Sequence, residues 1–93
     1  MLLPKPGRIR NKKLLDEITK KGYCCISGET RPDPAHIKTK GSGGDDIPEN
    51  LVPLARRFHT EQHTIGWRRF REKYGDKLMT WAEITARAGR KNG

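Results

Sequence analysis

Ala35-His36-Ile37-Lys38-Thr39-Lys40-Gly41-Ser42-Gly43-Gly44-Asp45-Asp46 leads through Asn50-Leu51-Val52-Pro53-Leu54 into Phe58-His59-Thr60-Glu61-Gln62-His63, and the order of these pieces decides the fold. Just before it, Arg31-Pro32-Asp33-Pro34 forbids helix, because each proline pushes its predecessor toward extended geometry. The chain therefore arrives at His36 extended. A glycine-bearing loop follows, Leu51, Val52 and Leu54 form a short buried strand that Pro53 limits to an edge or a strand end, and Arg56 to Gln62 is expected to be helical. The order is strand, loop, strand, helix. All three histidines of the chain lie in this stretch. His59 and His63 are four apart, so on a helix they share a face with Cβ atoms roughly 6 Å apart, near enough for both imidazoles to bind one ion. A zinc-protease arrangement is excluded, because Glu61 sits two residues after His59 and about 200° around the helix, pointing away.

Outward from this stretch, the signals are helical on both sides. Asn11 is a good N-cap, Leu14, Leu15 and Ile18 recur at helical spacing, and Gly22 follows Lys20 and Lys21 as a stop. Tyr23 to Thr30 reads as a short strand and turn, with Ser27-Gly28 as the turn signal. Beyond His63, Gly66 interrupts the helix. Trp67, Phe70 and Tyr74 then face inward on a second helix, with Arg68, Arg69, Arg71 and Lys73 outward, and Gly75 ends it. Thr80 and Glu83 form a capping box for a last helix carrying Trp81, Ile84 and Ala88, which Gly89 closes. Residues 1–10 are a basic flexible arm, 11–89 one domain, and 90–93 a tail.

Composition bounds the function. Ninety-three residues suit one domain that buries little core of its own, so a metal or a second copy would help it. No apolar run spans a membrane, and Met1-Leu2-Leu3-Pro4-Lys5-Pro6 is too short and too soon broken for a signal peptide, which leads us to expect a cytoplasmic protein. Cys24 and Cys25 are adjacent and make no disulfide framework; they read as buried small apolar residues. The net charge of +9 is unevenly spread: +5 over residues 1–22, −1 over 23–63 and +5 over 64–93. Basic flanks around a near-neutral centre fit a protein that grips a polyanion and presents the centre to one phosphate.

His36 at the end of a strand, Asn50 before the next strand and His59 on the following helix resemble the HNH nuclease motif. Ala-His-Ile, Gly-Gly-Asp-Asp, Asn-Leu-Val-Pro-Leu, His-x3-His and Gly66-Trp67 together are similar to the small phage-encoded HNH proteins. The resemblance covers residues 23–75 and implies an α+β fold, a ββα-metal core with flanking helices. It implies hydrolysis of phosphodiester bonds in DNA with one divalent ion (Zn, Mn, Ni or Mg), in the host cytoplasm if phage-encoded, by a homodimer or within a phage DNA-processing complex. In that scheme His36 is the general base, Asn50 orients it, His59 and His63 hold the ion, and Lys38, Lys40, Arg56, Arg57, Arg68 and Arg69 meet phosphates. Two departures matter. The second, bracing zinc of many relatives is not expected, because Ser27, Ala55 and Phe58 stand where its cysteines would. The ligand that usually precedes the base is replaced by Ala35. Asp33, Asp45 or Asp46, a water, or His36 itself would take its place, with the Asp45-Asp46 pair the first choice. The competing reading is a metal-stabilised basic module that binds nucleic acid without cutting it.

Overall fold

The computed structural model describes residues 9–38 and 44–90, the last two by backbone alone. Helix α1 spans Lys12–Lys21. Asn11 starts it, its side-chain oxygen accepting the Leu14 N–H at 3.1 Å, and Lys20 and Lys21 lie in the last turn, where the helix dipole favours cations. Gly22 ends α1 by close approach and not by a left-handed turn. It is extended, and a Cβ there would lie 2.6 Å from the Ile18 carbonyl oxygen and 3.0 Å from the Trp81 ring. Residues 23–30 form a tight turn closed by one bridge, Tyr23 to Thr30, instead of the expected strand. Cys24 is buried and Cys25 and Ile26 pack against the core, but Ser27 to Thr30 are exposed and polar, and Gly28, at φ +80°, supplies the turn.

Strand β1, Asp33–His36, pairs antiparallel with β2, Leu51–Leu54, in the register Asp33 to Leu54, Pro34 to Pro53, Ala35 to Val52 and His36 to Leu51. The Ile37 N–H donates to the Asn50 carbonyl at 2.9 Å, which makes His36 and Leu51 a pair whose own backbone groups point away from each other. Two residues along, Pro34 and Pro53 are the same kind of pair. Neither proline therefore costs the sheet a hydrogen bond.

All four residues of β2 are buried, because helices cover both faces. Val52 and Leu54 pack with Ala35 and Phe70, while Leu51 packs with Ile18 and Trp81. That is why β2 reads as an apolar run without alternation. Helix α2, Arg56–Tyr74, is broken at Gly66, whose φ of 84° and ψ of 159° are not helical, as the sequence led us to expect. The break turns Phe70 fully into the core against Trp67 and Tyr74, burial worth roughly 1.5–3 kcal/mol. Helix α3, Trp81–Arg90, begins with the Thr80–Glu83 capping box and continues through Gly89 to Arg90, one residue past the expected stop. The fold is a small α+β arrangement: a two-stranded sheet between helices. Among the described residues no helix is long and apolar enough to cross a membrane.

Candidate active site

Strand β1 ends in His36, and the acid at its ring comes from the segment before β2. The Asp46 carboxylate, 4% exposed, faces His36 Nε2 through Oδ1 at 2.7 Å and accepts the Asn11 N–H on Oδ2 at 2.9 Å. A carboxylate only accepts, so Nε2 is the donor, and in the neutral ring Nδ1 carries the lone pair. The backbone is fixed too: the Trp67 indole N–H donates to the His36 carbonyl at 2.9 Å. Asn50 ties Lys38 to Asp45. Its Oδ1 accepts the Lys38 N–H at 2.8 Å, and its Nδ2 donates to the carbonyls of Lys38 at 3.1 Å and Asp45 at 2.9 Å. A single amide has both the donors and the acceptor this requires, which an aspartate lacks.

A second cluster stands where α2 begins, on the side of β1 that carries Asp33. Asp33 Oδ2 accepts from His59 Nδ1 at 3.0 Å, and the Arg56 guanidinium donates to both oxygens of the same carboxylate. Desolvation is the largest influence on Asp33 and acts to raise its pKa, but the hydrogen bonds from Arg56 and His59 outweigh it and hold the carboxyl below the usual range. His59 and His63 turn their Nε2 atoms to within 3.2 Å of each other. Two imidazoles bound about 2.0–2.1 Å from one tetrahedral ion stand about 3.3 Å apart, so this donor pair fits a divalent metal. Two donors are all it supplies. Every His, Cys, Asp and Glu of the chain lies among the described residues, and no three of them gather around one point.

The structure accounts for each acid considered as a replacement for the ligand missing at Ala35. Asp45 Oδ1 accepts the Ile9 N–H at 2.9 Å, and Asp46 serves His36 and Asn11. Asp33 is the carboxylate that meets a helix histidine, although the sequence favoured the Asp45-Asp46 pair. Ala35 itself is fully buried and packs with Val52, Leu54 and Phe70, so position 35 faces the core. The pairing of β1 also divides the two clusters. Asp33 and Ala35 lie on the face covered by α2, whereas His36 is paired with Leu51, which packs on α1 and α3. The clusters thus sit at the two ends of one strand, their Cα atoms about 10 Å apart along it.

Of the expected phosphate contacts, Lys38, Arg68 and Arg69 are exposed, and Lys40 lies outside the described residues, as do residues 1–8 of the arm and 91–93 of the tail. Arg56 is shared with Asp33, and Arg57 donates to Glu29 at 2.6 Å while lying 4.6 Å over the Phe58 ring. Glu61 points away from the histidines, held by Lys73 at 2.6 Å and the Tyr74 hydroxyl at 2.8 Å. Cys24 and Cys25 are free thiols, the first buried with its sulfur accepting the Ser27 N–H at 3.5 Å. Asn11, whose N–H holds Asp46, and Trp67, whose indole holds the His36 carbonyl, are the supports of this site that sequence reasoning missed; only the helix cap at Asn11 and the Gly-Trp pair marked them.

With this geometry in hand, a comparison with family models matches residues 1–90 to a protein of unknown function, DUF968. The chain belongs to the DUF968 family. The match takes in both histidine clusters and all of the sheet, so they lie within one DUF968 unit. No curated protein and no solved structure matches the chain.

Proposed function

We propose that this chain is a metal-dependent endonuclease of the HNH type, hydrolysing phosphodiester bonds in DNA with a ββα-metal core made by β1, β2 and the first half of α2. The observation that carries the reading is the His59–His63 pair, its Nε2 atoms 3.2 Å apart and its first ring tied through Nδ1 to a carboxylate. When bound there, a divalent ion would supply Lewis-acid stabilisation of the phosphate and its leaving oxygen. His36 takes the proton of the attacking water on Nδ1, and the Asp46 carboxylate at its Nε2 stabilises the imidazolium that forms. Asn50 ties Lys38, two residues past that ring, to Asp45 beside its acid. Lys38, Arg68 and Arg69 attract the polyanion, with affinity that falls steeply as salt rises. Arg56 and Arg57 can join them, since solvent screens exposed ion pairs and such pairs yield to a phosphate.

Three observations favour a second reading, a metal-stabilised module that binds nucleic acid without cutting it. Ala35 faces the core, the donor set for an ion stops at two imidazoles, and His36 stands at the other end of β1 from them. Incubation of the purified chain with supercoiled plasmid, with manganese, magnesium, nickel or zinc and with EDTA, separates the two. Nicking that needs the ion and falls about 10²–10⁴-fold in His36→Ala, with DNA affinity retained, is the nuclease result. Salt-dependent binding without nicking under any divalent ion refutes the nuclease and leaves the binding module.

A further inference from the structure

We propose that Asp33 is a positioning residue for His59, its carboxylate fixing the ring as the Nδ1–H tautomer and holding the Nε2 lone pair toward His63. The inference rests on the two-imidazole site proposed above, but its first observable does not. Asp33 Oδ2 stands 3.0 Å from His59 Nδ1, and His59 Nε2 stands 3.2 Å from His63 Nε2. The carboxylate is itself held from two sides. Its backbone is in β1 opposite the fully buried Leu54, and the Arg56 guanidinium binds both of its oxygens. A carboxylate gripped on both oxygens by a guanidinium has only acceptors to offer, so it accepts and the ring donates.

The two nitrogens of an imidazole diverge. A carboxylate bound at Nδ1 cannot reach an ion bound at Nε2 of the same ring, which removes Asp33 as a direct ligand to that ion and leaves it the orienting role that carboxylates play behind metal-bound histidines. With the His59 proton on Nδ1, its Nε2 can accept the Nε2–H of His63 across the 3.2 Å gap. An ion held by the pair would need His63 in its Nδ1–H tautomer as well, so that both Nε2 atoms could serve as donors to it.

The test uses imidazole ¹⁵N shifts of the full chain, first without metal and then with zinc titrated in. Wild type is expected to show His59 as the Nδ1–H tautomer, Asp33→Ala to lose that preference, and zinc affinity to fall about 10–100-fold with it. Asp33→Asn, equal in size and able to accept but without the charge, is expected to fall between them and serves if the alanine variant does not fold. Arg56→Ala should leave the tautomer in place, which separates orientation of the ring from loss of a surface ion pair. The proposal is overturned if His59 is Nε2–H in wild type, or if Asp33→Ala changes neither tautomer nor zinc affinity. A wild type that shows the Nδ1–H ring yet takes up no zinc supports the Asp33 contact and refutes the metal site of the proposed function.

Discussion

Substituting alanine at Gly66 and at Gly75 should move stability in opposite directions, although a Cβ meets nothing within 4 Å at either position. Space is thus the same, and only the backbone differs. Gly66 has φ 84° and ψ 159°, a region that side chains rarely enter and that costs about 1–3 kcal/mol for a residue with a Cβ. Gly75 has φ −46° and ψ −45°, ordinary helical values, where alanine gains about 0.4–1 kcal/mol by restricting the unfolded chain. Gly66→Ala has one way of escape, which is to straighten α2. That would pull Trp67 off the His36 carbonyl, about 1 kcal/mol, and Phe70 from a site with no exposure, about 3–5 kcal/mol. Keeping the kink and bearing the backbone cost is cheaper. At about 4–8 °C per kcal/mol for a chain of this size, Gly66→Ala should lower the melting temperature by about 4–24 °C and Gly75→Ala should raise it by a few degrees. Thermal and urea unfolding of the two variants side by side decide it. Equal shifts, or a neutral Gly66→Ala, would refute the account of the break as a conformational demand.

Other outcomes follow from the same contacts. Asn50→Asp keeps the acceptor for the Lys38 N–H but turns an anionic oxygen on the carbonyls of Lys38 and Asp45, so it should cost about 1–3 kcal/mol and speed exchange of the Lys38 amide. An amide that stays as protected as in wild type would contradict the clamp. Ala35→Asp, which restores the residue type usual before an HNH base, should not tighten metal binding, because it buries an unpartnered carboxylate beside Val52 and Phe70. We expect a loss of about 3–5 kcal/mol by urea unfolding and no gain in zinc affinity. Tighter zinc binding would mean that position 35 turns to the ion. The Asp33 carboxyl titrates lower in the folded chain than unfolded, so its contribution is fully present above the unfolded value, about 3.9, and is lost as pH falls through the lower folded one. Melting temperature should therefore drop more steeply below about pH 4 in wild type than in Asp33→Asn; parallel profiles would remove the ion pair from the account.

Much of the architecture was legible because local rules and tertiary packing agree. Asn11, Gly66 and the Thr80–Glu83 box mark helix ends by chemistry that involves only neighbours in sequence, and the prolines around Asp33 force extension before any partner strand is known. The His59–His63 pair is likewise local, four residues on one helix. The carboxylates were not. Whether Asp33, Asp45 or Asp46 meets a histidine depends on contacts 10 to 36 residues apart in sequence, with α1's cap, the arm at Ile9 and the helix face all competing for them. Ala35 shows the same limit from the other side. Its neighbour in sequence is a candidate base, but the period of two along a strand turns it the opposite way, into the core.

The paired prolines of the sheet carry a consequence for solubility. Pro34 and Pro53 stand opposite each other with their ring nitrogens directed outward, one toward each margin of the sheet. An incoming strand from another molecule needs backbone donors along that margin to dock, and here the central one is missing on both sides at once. The Pro53 carbonyl that would accept such a strand is already taken by the Cys25 N–H at 3.1 Å, and the His36 carbonyl by the Trp67 indole. In a two-stranded sheet both strands are edges, and each edge can template pairing with another chain. Pro34→Ala with Pro53→Ala would return a donor to each margin, and so give neighbouring copies of the chain something to polymerise on.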